Sequence, residues 1–255
     1  MTEQAPRGTQ LPGPYEIQRV ADEHGITLRM RGHGSSARNA DVRRAPVAPR
    51  PLLSLRSRRC QANCQTHASV DGPARETWNA RYRERGTEPG PPSEWLVSNA
   101  ALLEGTRALD LACGTGRNSL FLAARGFTVN ALDISEVAVQ ALRGTPGVHA
   151  HVADLEREPL PRDAYDVIVL INYLQRDLFA PVAAALAPRG IVIAETVTRA
   201  HADELRRAFD RRFLLEPGEL RRAFPGLAVR RCEEGLVQRA GRPRAVASIV
   251  AQRPS

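Results

Sequence analysis

Residues Arg107 to Gly126, RALDLACGTGRNSLFLAARG, constrain the fold more than any other stretch, because a strand, a glycine turn and a helix follow one another without a gap. Leu109, Leu111 and Ala112 form an apolar run of strand length. Leu120, Ala123 and Ala124 recur at helical spacing, so that stripe is expected to pack the helix onto the sheet. Gly114 and Gly116 lie between the two; without a Cβ they tolerate positive φ, and the backbone can turn sharply and meet a ligand closely. A dinucleotide fingerprint also needs a third glycine for close helix–strand packing, and Ser119 stands in its place.

Downstream the pattern repeats. Phe127 to Asp133 reads as a second strand ending in an acid about 20 residues past the glycine turn, where a ribose-binding carboxylate belongs. Ile134 then offers an apolar face for a base, and Ser135 is a good N-cap for a helix over 136–142. Val148 to Ala153 forms a third strand leading into Asp154 and Leu155. The continuous apolar runs Tyr165–Ile171 and Gly190–Glu195 fit central parallel strands. Strand and helix alternating in this way imply right-handed crossovers in a doubly wound α/β fold, with ligands at the carboxyl ends of the strands, where Asp110, Asp133, Asp154 and Asn172 fall. The last two strands, around 227–235 and 244–251, are expected to pair as a hairpin through Gly241-Arg-Pro243.

The acid four residues before the first glycine, Asp110-x-x-x-Gly114-x-Gly116, resembles motif I of the class I S-adenosylmethionine-dependent methyltransferases. Within that class, Cys113 to Leu120, Pro217 to Arg222 and Glu233 to Gly235 resemble the branch of the tellurite-resistance methyltransferases, and Trp78-Asn-Ala-Arg-Tyr82 looks like the opening segment of related small-molecule enzymes. The resemblance covers about residues 76–252. It implies a seven-stranded, mostly parallel sheet with an antiparallel last strand, and S-adenosylmethionine as cofactor. It further implies a cofactor site of Asp110, Ala112, Gly114, Gly116, Asn118, Asp133, Ile134, Asp154, Leu155 and Asn172, in which Asp110 holds the ammonium group and Asp154 meets the adenine amino group. A nicotinamide-dependent oxidoreductase and a non-catalytic nucleoside-binding scaffold are the alternatives; Ser119 argues against the first.

Charge separates the chain into two parts. Residues 1–75 hold 12 arginines against 6 acids, whereas residues 76–255 hold 24 against 22, so most of the net +8 lies outside the expected catalytic domain. That domain has no basic stripe interleaved with aromatics, and a nucleic-acid partner is not expected. Apart from Ile17 to Met30, the first 75 residues lack apolar periodicity, and an Arg- and Pro-rich disordered extension is expected there, with the methyltransferase domain over 76–255. No apolar run reaches signal-peptide or membrane-spanning length, so a cytoplasmic protein without a membrane partner is expected. Cys60, Cys64 and His67 form the one tempting metal cluster, but a fourth ligand is missing and no metal is expected.

Methyl transfer from a sulfonium is an in-line displacement that asks mainly for alignment and exclusion of water. The expected acceptor is a small molecule: a thiol, a chalcogen oxyanion or another small nucleophile. Tyr173, Arg176 and Glu195, after the fourth and fifth strands, are candidates to contact it, with Trp78 and Tyr82 as a lid.

Overall fold

The computed structural model describes residues 16–22, 25–31, 72–203 and 210–255. The chain divides into two units, Met1–Ala48 and Pro49–Ser255. The first contains strands β1 (Glu16–Asp22) and β2 (Gly25–Arg31), paired antiparallel from Glu16 opposite Arg31 to Asp22 opposite Gly25. The two strands fall on the one stretch of the extension with apolar periodicity. Cys60, Cys64 and His67 lie outside the described residues.

Among its described residues the second unit begins with helix α1 (Pro73–Arg85), which starts ahead of the expected boundary at residue 76. Proline at the first helical position loses no hydrogen bond there and presets φ. A short helix α2 (Glu94–Ser98) leads to β3 (Arg107–Leu111), followed by α3 (Arg117–Ala124), β4 (Thr128–Asp133), α4 (Glu136–Gln140), β5 (Val148–Val152) and β6 (Tyr165–Ile171). Helix α5 (Phe179–Ala185), β7 (Leu186–Val197), α6 (Arg199–Asp203), α7 (Glu219–Arg222), β8 (Ala228–Arg239) and β9 (Arg242–Gln252) complete the unit.

The sheet order is β5–β4–β3–β6–β7–β9–β8. The five strands from β3 to β7 run parallel, and β9 is antiparallel to both β7 and β8. This is the seven-stranded, mostly parallel, doubly wound architecture with antiparallel terminal strands. Its reversal of strand order between β3 and β6 creates the crevice in which such sheets bind ligands.

Period-2 alternation accounts for the two apolar layers. In β6, Ile168 and Leu170 enter one core cluster while Val167, Val169 and Ile171 enter the other. Each fully buried Leu, Ile or Val of this kind contributes about 1.5–3 kcal/mol relative to exposure. At the far edge, Ala240 (φ 49°) and Gly241 (φ 71°) close the β8–β9 hairpin, with Arg239 opposite Arg242. Two successive positive φ angles suit the twist of the flanking strands.

Helix α3 packs on the core through Leu122, with the expected Leu120 and Ala123 half-buried against the same cluster, while Ala124 is exposed. A polar contact adds to this face: the Ser119 hydroxyl donates to Asp110 Oδ2 on β3 at 2.6 Å, and both groups are buried. No helix among the described residues is long and apolar enough to cross a membrane, and no group of His, Cys, Asp and Glu among them forms a metal cluster.

Candidate functional site

The carboxyl ends of β3, β4, β5 and β6 surround a cleft of about 420 Å³. Its floor is the turn after β3, where Ala112 (φ 53°), Gly114 (φ 55°) and Gly116 (φ 82°) all take left-handed conformations. Asp133, 6% exposed at the end of β4, holds this turn in place. Gly114 N–H donates to its Oδ2 at 2.8 Å, and Ser135 N–H donates to its Oδ1 at 2.8 Å. Burial pushes the Asp133 pKa up, while these backbone N–H groups pull it back down. A carboxylate has about four lone-pair positions, so two acceptor sites remain for a ligand.

Of the residues expected to hold the cofactor, Ala112, Gly114, Asn118, Asp133, Ile134, Asp154, Leu155 and Asn172 line the cleft. Asp110 and Gly116 do not. Asp110 is 1% exposed and accepts from the Ser119 hydroxyl, a placement beneath the turn and outside the cleft lining. Gly116 is the N-cap of α3, where an added Cβ would stand 2.3 Å from Leu142 Cδ2; it serves packing.

Burial pushes the Asp110 carboxyl up to about 7 against an ordinary 3.8, despite the opposing bonds from Ser119. Because the folded-state value is the higher one, unfolding releases a proton between these limits, and stability falls as pH rises through that window. Relative to Asp110→Asn, the wild type is expected to lose on the order of 2–4 kcal/mol between about pH 4 and pH 8. Urea denaturation of both proteins across that range measures the difference; a constant gap would show that Asp110 is ionised in the fold.

A second wall comes from α1, through Ala74, Trp78 and Tyr82. Buried Asn79 fastens this helix to the loop after β4: Ser135 Oγ donates to Asn79 Oδ1 at 2.6 Å, and Val137 N–H donates to the same oxygen at 3.3 Å. Arg75 pairs with Glu136 alongside. Since Ser135 N–H also donates to Asp133, α1 and the acid at the end of β4 belong to one hydrogen-bonded chain. Sequence reasoning missed Asn79, whose partners lie more than 50 positions away. It also missed Arg117, the first residue of α3, and Glu156, Gln175 and Phe213, which line the cleft from segments without periodicity.

Only Tyr173 of the three acceptor candidates reaches the cleft, and its hydroxyl donates to Gln175 Oε1 at 2.7 Å. Arg176 is corrected: its Nε and Nη2 bond Glu219, and its Nη1 and Nη2 bond the carbonyls of Arg212 and Leu214. Glu195 is corrected too, being buried in β7 with Arg239 and Ser248 as partners. Burial, reinforced by Asp133, raises the Tyr82 pKa, and burial with Glu156 and Asp154 next raises that of Tyr173. Burial and then Asp110 push the Cys113 thiol up as well. All three stay protonated at neutral pH, and none is a ready base or nucleophile.

The described lining carries three carboxylates, Asp133, Asp154 and Glu156, and one guanidinium, Arg117. That balance suits a cationic nucleoside and opposes a pyrophosphate, which needs free N–H groups and cations.

Residues 108–190 match the family described as methyltransferase domain. The chain is 26% identical over 155 residues to the malonyl-[acyl-carrier protein] O-methyltransferase of Salmonella typhimurium, covering 58% of this chain and 60% of that one. It is 32% identical over 114 residues to YqeM of Bacillus subtilis, covering 40% and 45%. The chain thus spans about half to three fifths of the length of these curated relatives. The crystal structure of TehB from Haemophilus influenzae superposes with a TM-score of 0.56 at 18% identity, over 69% of this chain and 67% of that one, a likeness of fold. The segment running from β3 into β7, with its glycine turn and its acid-lined cleft, is thus the part of the chain similar to methyltransferase domains, and it lies on a Rossmann-like sheet.

Proposed function

We propose that this chain transfers a methyl group from S-adenosylmethionine to a small-molecule nucleophile. The observation that carries the reading is the link between the Gly114 amide and Asp133 at the floor of an acid-lined cleft. The donor set fits the cofactor: Asp133 has acceptor positions left for a ribose, Ile134 and Leu155 offer apolar faces for adenine, and Asp154 offers an acceptor for its amino group. When bound, S-adenosylmethionine supplies a methyl group activated by a positive sulfur.

The chain's own residues then act by placement. Asp133 orients the sugar, the turn at Gly114 admits close backbone approach, and Trp78 and Tyr82 shield the cleft from water. Orientation of this kind is worth effective molarities of about 10⁵ M and more, so no acid or base is required for a thiolate or for the lone pair of a chalcogen oxyanion.

Calorimetric titration with S-adenosylmethionine, S-adenosylhomocysteine and NAD tests the cofactor, and acceptor-dependent release of S-adenosylhomocysteine tests turnover. Preference for NAD would end the reading; tight nucleoside binding with no turnover of any acceptor would favour the scaffold. Deleting residues 1–70, which spares α1, is expected to leave the affinity for S-adenosylmethionine within about twofold, below 0.5 kcal/mol. Loss of binding would place part of the N-terminal segment in the domain.

A further inference from the structure

Five large apolar side chains are exposed among the described residues, and two of them border the cleft: Trp78 at 40% and Phe213 at 49%. Tyr173 and Leu174 line the same cleft. Scattered apolar side chains need no explanation, but aromatic ones gathered at the mouth of a cleft mark a binding surface.

Phe213 is held there. It ends the 3₁₀ turn Arg211–Phe213, and the carbonyls on either side of it, Arg212 O and Leu214 O, accept from Arg176 at 2.9 and 3.0 Å. Glu219 fixes the same guanidinium at 2.6 and 2.9 Å. The side chain that the sequence offered as an acceptor contact is thus spent on shaping an apolar wall.

We propose that the acceptor is a flat, apolar molecule without a fixed anionic group, received between the α1 wall at Trp78 and the turn at Phe213, with Arg176 as the positioning residue for that turn. The inference rests on the methyltransferase reading. A chalcogen oxyanion is a poor occupant, because the apolar walls at Trp78 and Phe213 cannot replace its hydration. An aromatic thiol fits: its proton leaves to solvent on ionisation, its sulfur forms the new bond to the methyl carbon, and the electron pair of the breaking bond stays on the donor sulfur.

The full chain, saturated with S-adenosylmethionine, is assayed for S-adenosylhomocysteine release with 2-naphthalenethiol, 2-mercaptoethanol and tellurite. The expected result is at least about tenfold higher kcat/KM for 2-naphthalenethiol than for either of the others, equivalent to about 1.4 kcal/mol. Phe213→Ala and Arg176→Gln are each expected to raise the KM for 2-naphthalenethiol several-fold and to move the KM for 2-mercaptoethanol less. Calorimetric titration of 2-naphthol into the S-adenosylhomocysteine-bound chain gives a readout independent of turnover, with binding expected to weaken in both variants. Equal or better use of tellurite or 2-mercaptoethanol, or failure of 2-naphthol to bind, overturns the proposal. Failure of S-adenosylmethionine itself to bind overturns instead the reading beneath it.

Discussion

Asp133→Ala is expected to weaken S-adenosylmethionine binding by at least about 100-fold, because the carboxylate has two duties that fail together. As a ligand it offers acceptors to the ribose, and losing a hydrogen bond of that kind costs about 1–3 kcal/mol. As a brace it satisfies Gly114 N–H and Ser135 N–H, both at 2.8 Å in a buried setting. Each donor left without a partner costs a further ~1–3 kcal/mol, part of which appears as disorder of the turn. Asp133→Asn is no remedy, since one of the two N–H groups would then face the amide NH₂ of the new side chain. Calorimetry gives the affinity, and circular dichroism on the same samples shows whether the fold persists. A folded variant that binds as tightly as the wild type would remove Asp133 from the site.

The same residue shows what the sequence makes legible. Asp133 closes a strand of obvious pattern, lies at a fixed interval from the glycines and precedes a capping serine that accepts from Ala138 N–H. Every one of those cues is local, and so are those for Ile134, Asp154 and Leu155. The parallel pairing of the central strands also followed from local cues, because strand and helix alternate there and the crossovers are right-handed.

What escaped depends on partners far apart in the chain. Asn79 gains its role from Ser135, and Arg176 loses its expected role to Glu219, 43 positions away. Helix α3 buries Ser119 against Asp110 as well as packing Leu120 and Ala123 on the core, and apolar spacing reports only the second of these. Asp110 lies on β3 outside the cleft lining, bonded to Ser119, and periodicity does not distinguish support from contact.

The two glycines of the turn look interchangeable in the sequence, yet their substitution is expected to fail in different ways. At Gly116, φ is +82° and a Cβ would lie 2.3 Å from Leu142 Cδ2 and 2.7 Å from Cδ1. Leu142 is buried, so it has no free space to move into. Left-handed strain of about 1–2 kcal/mol and overpacking of about 1–3 kcal/mol add, and Gly116→Ala is expected to destabilise the fold by about 2–5 kcal/mol. At Gly114, φ is +55° and the near neighbour is the Tyr82 hydroxyl at 2.7 Å, the far end of a half-buried side chain on the lid. That ring can swing away, so Gly114→Ala pays mainly the backbone strain of about 1–2 kcal/mol, and the larger effect falls on closure of the cleft over its ligand. Urea midpoints are therefore expected to drop much further for Gly116→Ala than for Gly114→Ala. Among molecules that remain folded, the order of S-adenosylmethionine affinities is expected to reverse. Parallel losses of stability and affinity in the two variants would mean that Gly116 touches the ligand after all, and that the turn is a single recognition element instead of a contact surface resting on a packing joint.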